Sequence, residues 1–168
     1  MIGPTETGAE TSPWPEAFRR GLEHYWRGRY WDSHEAWEEV WRAAAEPVRS
    51  FMKALIQIDA ALIHAGRQEW NGVRHLLERV LRYLDRCPDV VWGVRVPELK
   101  DQVRRFLQEV ADVQSGRRSR FRWSVKPRIR PLGLTPPRRE GLRRAPTDGP
   151  PLLRPGGAQG TQGTGQKA

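Results

Sequence analysis

The stretch from Val48 to Gly66, VRSFMKALIQIDAALIHAG, decides the fold. At roughly 100° per residue, Phe51, Ala54, Leu55, Ile58, Ala61, Leu62 and Ala65 fill one arc of a helix. Met52, Ile56 and Ile63 carry the apolar surface past half of the circumference. A helix this apolar is normally central, covered by neighbours on several sides. The flanking segments have to supply that cover, and their periodicity says that they are helical as well.

Upstream, Asp32 is placed to cap a helix, with Glu35 three residues on reaching back as in a capping box, and the helix runs through Trp37 and Trp41 to about Ala45 before Glu46-Pro47 ends it. An earlier helix spans about Pro15 to Arg27, with Phe18, Leu22, Tyr25 and Trp26 on one face and Gly28 as a left-handed stop. Downstream, Val73, Leu76, Leu77, Val80, Leu81 and Leu84 form the inner face of a helix from about Asn71 to Arg86. An apolar connector, Val90 to Val96, then crosses the bundle end, and a last helix from Pro97 to about Val113 presents Leu99, Val103, Phe106, Leu107 and Val110. No segment alternates with period two for long enough to build a sheet. The expected fold is all-α, a bundle of about five helices, antiparallel where the connections are short.

The net charge of +9 is unevenly spread over the 168 residues. Thirteen of the 29 Lys and Arg but only Glu140 and Asp148 of the 20 acids lie in 114–168, so that segment carries +11 and residues 1–113 carry −2. The same segment holds eight Pro and nine Gly with little aliphatic periodicity, a composition that buries too little surface to offset chain entropy. The expected organisation is a flexible N-terminus, 1–14, a helical domain, 15–113, and a disordered Arg/Pro/Gly-rich tail, 114–168. A single cysteine, Cys87, excludes a disulfide framework or a cysteine-based zinc cluster within one chain. With no export signal and no apolar run of roughly 20 residues, a cytoplasmic location without membrane contact is expected.

Two features bear on function. Within residues 117–130, Arg117, Arg118, Arg120, Phe121, Arg122, Trp123, Lys126, Arg128 and Arg130 form a basic run with two aromatics, suited to the phosphate backbone and bases of a nucleic acid. Arg outnumbers Lys 25 to 4 over the whole chain, however, so the Arg excess is not special to this run. The second feature lies in the bundle. His34 falls on the arc of Trp37, Trp41 and Ala45 with Glu38 at its edge, while Glu35, Glu39 and Arg42 point away. On the next helix Lys53, Gln57 and His64 form the only polar strip.

If these strips meet, His34, Glu38, Gln57 and His64 make a polar site between antiparallel helices, where bundles place ligand and metal sites. The arrangement has three readings. His34, Glu38 and His64 can ligate a divalent metal, with His34, Glu35 and Glu38 as catalytic groups of a hydrolase. Trp41, Gln57 and His64 can line a ligand pocket. The plainer reading is that the polar groups satisfy one another and set helix register. Asp59, among Met52, Ile56, Leu62 and Ile63, is either a buried carboxylate with a perturbed pKa or part of a subunit contact or water-open gap, the second being the commoner arrangement.

The string Tyr30-Trp31-Asp32-Ser33-His34-Glu35-Ala36-Trp37-Glu38-Glu39-Val40-Trp41 resembles the domain of unknown function 309 family, small helical bacterial and archaeal proteins. Leu55-Ile56-Gln57, Ala60-Ala61-Leu62 and His64, then Gly72-Val73 with Leu76-Leu77, then Gly93-Val94 with Val96 and Leu99, continue the likeness over about residues 16 to 113. The resemblance implies an all-helical, self-associating protein with motif positions His34, Glu35, Glu38, Trp41, Gln57 and His64, and it implies no established activity. Two positions depart from it: Gln68-Glu69 stands where the family has Gly-Asn, and Asp59 where it has a small residue. The expectation is therefore a homo-oligomeric binding or structural module, with a metal-dependent hydrolase or a nucleic-acid-associated protein as alternatives.

Overall fold

The computed structural model describes residues 14–137. Five helices follow one another: α1 (Glu16–Trp26), α2 (Tyr30–Ala43), α3 (Val48–Gly66), α4 (Trp70–Leu84) and α5 (Val96–Gln114). α3 packs against α2 on one flank and α4 on the other, α1 covers α2, and α5 covers α4. This central position explains the composition of α3, whose Phe51, Met52, Ala54, Leu55, Ile56, Ile58, Ala61 and Leu62 are all buried. The connector before α5 is a tight antiparallel hairpin, β1 (Val90–Val91) and β2 (Val94–Arg95). Its turn residues Trp92 and Gly93 both have positive φ, the geometry that matches the twist of a two-residue hairpin.

The α1–α2 contact depends on a missing side chain. Trp37 is fully buried and its indole N–H donates to the Phe18 carbonyl at 3.3 Å. A Cβ on Gly21 would come within 2.2 Å of the Trp37 Nε1, so only glycine lets the indole lie on α1. α2 begins at Tyr30 with Arg29 as its N-cap and no side-chain cap, so the capping box expected of Asp32 and Glu35 does not form. Tyr30 is drawn into the helix by packing on Tyr25, ring centroids 5.6 Å apart. Asp32 then lies inside the first turn, paired with Arg29 at 2.6 Å.

The larger difference concerns the tail. Composition puts a boundary at residue 113, yet residues 115–137 run as a strap along the bundle, with a 3-10 turn at Trp123–Val125. Ile129 is fully buried, and Phe121 stacks on Trp70 with ring centroids 5.1 Å apart. The Tyr25 hydroxyl donates to the Pro127 carbonyl at 2.7 Å, the Trp26 indole to the Ile129 carbonyl at 2.8 Å, and the Leu132 amide to Gly93 at 2.9 Å. Glu109 of α5 is also buried, and the Arg122 guanidinium meets it at 3.0 and 2.8 Å. Averaging over 114–168 hides this, because the Gly-rich remainder dilutes a short run in which Phe121, Arg122, Lys126 and Ile129 find partners on the bundle. The flexible N-terminus expected at 1–13 and the disordered tail expected at 138–168 lie outside the described residues.

Truncating Ile129 tests the strap. Ile129→Ala is expected to lower stability by about 2–4 kcal/mol, whereas Leu132→Ala, at the exposed Leu132, is expected to change it by less than about 0.5 kcal/mol. Urea denaturation of the two full-length variants checks this, and equal effects would contradict the packed strap.

Candidate functional site

α2 and α3 are antiparallel and joined by a short turn, so the end of α2 faces the start of α3. Trp41 marks the register: the Arg49 guanidinium and the Lys53 ammonium each lie 4.4 Å from the centre of its indole. One further turn along α3 brings Gln57 toward the level of Glu38 and His34. His64 lies seven residues beyond Gln57, a rise of about 10 Å along the helix. The four polar residues therefore share a face without forming one cluster.

Each has a different partner. The His34 ring lies 5.7 Å from that of the exposed Trp31. Burial pushes its pKa below the usual histidine value, Lys53 adds to that shift, and Glu38 and Glu35 oppose it. Glu38 takes a hydrogen bond from Arg42 at 3.2 Å. The Gln57 side-chain oxygen is buried with no hydrogen-bond partner. His64 pairs through Nδ1 with Glu69 at the α3–α4 turn, where Gln68 takes a positive φ of 60°. The departure at Gln68-Glu69 thus has a local account: Glu69 ties the turn to His64 while Gln68 adopts a conformation that glycine takes more readily. Among the described residues, no group of three or more His, Cys, Asp or Glu side chains is placed to hold a metal ion, so the ligand set His34, Glu38 and His64 is not assembled. Glu35 lines a shallow cleft of about 320 Å³ between α1 and α2, together with Arg20, His24, Arg29, Asp32 and Glu39. Cys87 is no better placed as a nucleophile, since burial pushes its thiol up to about 11.

A separate polar group surrounds Asp59. Its carboxyl is 0% exposed, and neither oxygen has a hydrogen bond of ordinary geometry, nor does the neighbouring Ser33 hydroxyl. Of the two readings of Asp59, the buried carboxylate is the one realised within the single chain; the subunit contact or water-open gap does not describe it. Burial raises its pKa well above 3.8, while Ser33 and the charge of Lys126 pull it back down. Lys126 arrives from the strap. Its ammonium donates to the Tyr30 hydroxyl at 2.9 Å and the Tyr25 carbonyl at 3.3 Å, and it lies 4.5 and 4.8 Å from the centres of the two tyrosine rings. Burial also raises both phenol pKa values, with the negative charge of Asp59 adding to the shift.

Sequence reading singled out Asp59 and missed Tyr25, Tyr30, Ser33 and Lys126 as its company. A carboxylate on the apolar circumference of a central helix signals that a cation or donor must reach it. Nothing in the spacing says that the cation comes from a segment that composition assigns to a tail. Lys126 and its neighbours in 117–130 are also engaged differently from the expected nucleic-acid run: Arg122 serves Glu109, Phe121 contacts Trp70 and Phe106, and Trp123 packs edge-on against Phe121.

Residues 18–76 match the model of a family described as Domain of unknown function (DUF309). The match covers most of α1, all of α2 and α3 and the first half of α4, and so includes every motif position from His34 to His64. No curated protein and no solved structure matches the chain. Among the described residues, no helix is long and apolar enough to cross a membrane.

The raised Asp59 pKa has a signed consequence. The native state keeps a proton that the unfolded chain releases near 3.8, so this contribution is full at acid pH and is lost as pH rises toward the folded pKa. Relative to Asp59→Asn, the wild type is expected to lose stability as pH rises above about 4, by at most about 1.4 kcal/mol per pH unit. Paired urea titrations between acid and neutral pH check this; a difference independent of pH would remove the raised pKa.

Proposed function

We propose that this DUF309-like helical domain is a self-associating binding module that works through the half-exposed face shared by α2 and α3. The observation that carries this reading is the placement of the motif residues. Trp31, His34, Glu38 and Trp41 line one side of α2, and Lys53 and Gln57 continue the face on α3. Trp31 is 54% exposed, unusual for so large an aromatic ring, and indole groups on mixed polar surfaces are typical interface anchors. Among the described residues the buried Gln57 side-chain oxygen has no hydrogen-bond partner, and a donor brought by a partner would satisfy it. Glu38 pairs with Arg42 and Arg49 and Lys53 lie over the Trp41 ring, so the face carries both signs of charge, which a two-fold contact can pair. A second copy of the chain is the occupant this supports.

The burial-lowered pKa of His34 keeps the imidazole largely neutral near pH 7, suited to accepting or donating one hydrogen bond across such a contact. The metal-dependent hydrolase reading has no comparable support, because His34, Glu38 and His64 are spread along the helices with separate partners and Glu35 lines the cleft between α1 and α2. The nucleic-acid reading is weakened by the engagement of Phe121, Arg122, Trp123 and Lys126 with the bundle.

Light scattering coupled to size exclusion tests the proposal on the full chain. The wild type is expected to be dimeric at about 100 µM, and Trp31→Glu monomeric with an unchanged helical spectrum, since association is a mass-action equilibrium at a surface residue. A wild type that stays monomeric, or a Trp31→Glu variant that stays dimeric, would overturn it.

A further inference from the structure

The surroundings of Lys126 are built like a receptor for an ammonium ion. Two tyrosine rings face the charge, a phenol oxygen and a backbone carbonyl accept two of its hydrogens, and the buried carboxyl of Asp59, close to the Ser33 hydroxyl, feels the Lys126 charge. Aromatic faces attract a cation most strongly where water is excluded, and Tyr25 and Asp59 are both buried. The walls come from α1, α2 and α3, that is, from the bundle alone. Only the occupant comes from the strap. Lys126 as a residue is half-buried, so its stem runs from solvent into the site and marks a way in.

We propose that Tyr25, Tyr30, Ser33 and Asp59 form a binding site for a primary alkylammonium group, and that Lys126 is the ligand the chain supplies for itself. The site selects a primary ammonium by three features. The two acceptors and the carboxyl demand a donor-rich cation, the paired rings favour positive charge over a neutral group of the same shape, and the narrow path left by a lysine stem excludes quaternary ammonium ions. Guanidinium is a poor fit for the same reason, being planar where the acceptors converge on a compact charge. This assignment does not rest on the α2–α3 face, since it uses none of Trp31, His34, Glu38, Trp41, Lys53 and Gln57.

Chemical rescue tests the site. Lys126→Ala removes the part of the side chain that propylammonium replaces, and breaking a buried charge contact of this kind is expected to lower Tm by roughly 10 °C. Propylammonium chloride at millimolar concentration is expected to restore most of that loss in a saturable manner. Equal concentrations of 1-propanol, sodium chloride or tetramethylammonium chloride are expected to restore little, and none of the four to shift the wild type appreciably. Adding Tyr30→Phe to Lys126→Ala, which keeps the ring and deletes the acceptor, is expected to weaken the apparent affinity for propylammonium several-fold. If Lys126→Ala is unfolded in buffer, the readout is recovery of the helical spectrum on titration with propylammonium. Rescue by propanol as strong as by propylammonium would reduce the site to a cavity. A Lys126→Ala chain that melts with the wild type, or no rescue by any amine, would overturn the proposal outright.

Discussion

Asp59 sits at the middle of α3, at a level where α1 and α2 leave it no path to water, and a carboxyl group in that position costs several kcal/mol unless donors or a cation reach it. α2 contributes the Ser33 hydroxyl and α1 contributes Tyr25, but neither carries a positive charge to this point. Lys126 does, and its reach dictates where the chain goes after α5. The strap leaves α5 at the Arg122–Glu109 contact, lays Lys126 between Tyr25 and Tyr30, hands the Ile129 carbonyl to Trp26 and meets the hairpin at Gly93. Asp59 and Glu109, two buried acids of the bundle, each face a cation of the strap.

The charge partition of the chain gains a structural meaning from this. A bundle of −2 beside a segment of +11 reads as a neutral domain with a loose basic arm. In the folded protein, part of that excess is internal: Arg118 and Arg122 converge on Glu109, and Lys126 acts on Asp59. These positions act as structural counter-charges, and the aromatics between them, Phe121 and Trp123, pack with Trp70 and Phe106 rather than standing free for stacking partners.

The motif residues divide along similar lines. His34, Glu38 and Trp41 were legible as one stripe of α2 because helical spacing alone sets which side chains share a face. Their relation to His64 was not legible. A helical wheel carries no information about axial offset, and the tight α2–α3 turn places Trp41 against Arg49 and Lys53, which leaves His64 beyond reach and free to brace the next turn through Glu69. Glu35 was separable from His34 by the same wheel, and its cleft with Arg20 and His24 lies between α1 and α2.

Five helices, the central place of α3 and, among the described residues, no more sheet than a short hairpin follow from spacing alone, because periodicity, glycine and proline punctuation and apolar arcs act within one or two turns of chain. The sequence also marked Asp59 as anomalous on an apolar helix and assigned the family likeness now matched over residues 18–76. The burial of Asp59, its company of Tyr25, Tyr30 and Ser33, and the packing of residues 115–137 as a strap come from long-range contacts. Those facts depend on contacts between residues about a hundred positions apart, such as Tyr25 with Pro127 and Tyr30 with Lys126. Local composition averages such long-range pairings away, whereas the cost of a buried charge is settled by whichever segment brings its partner.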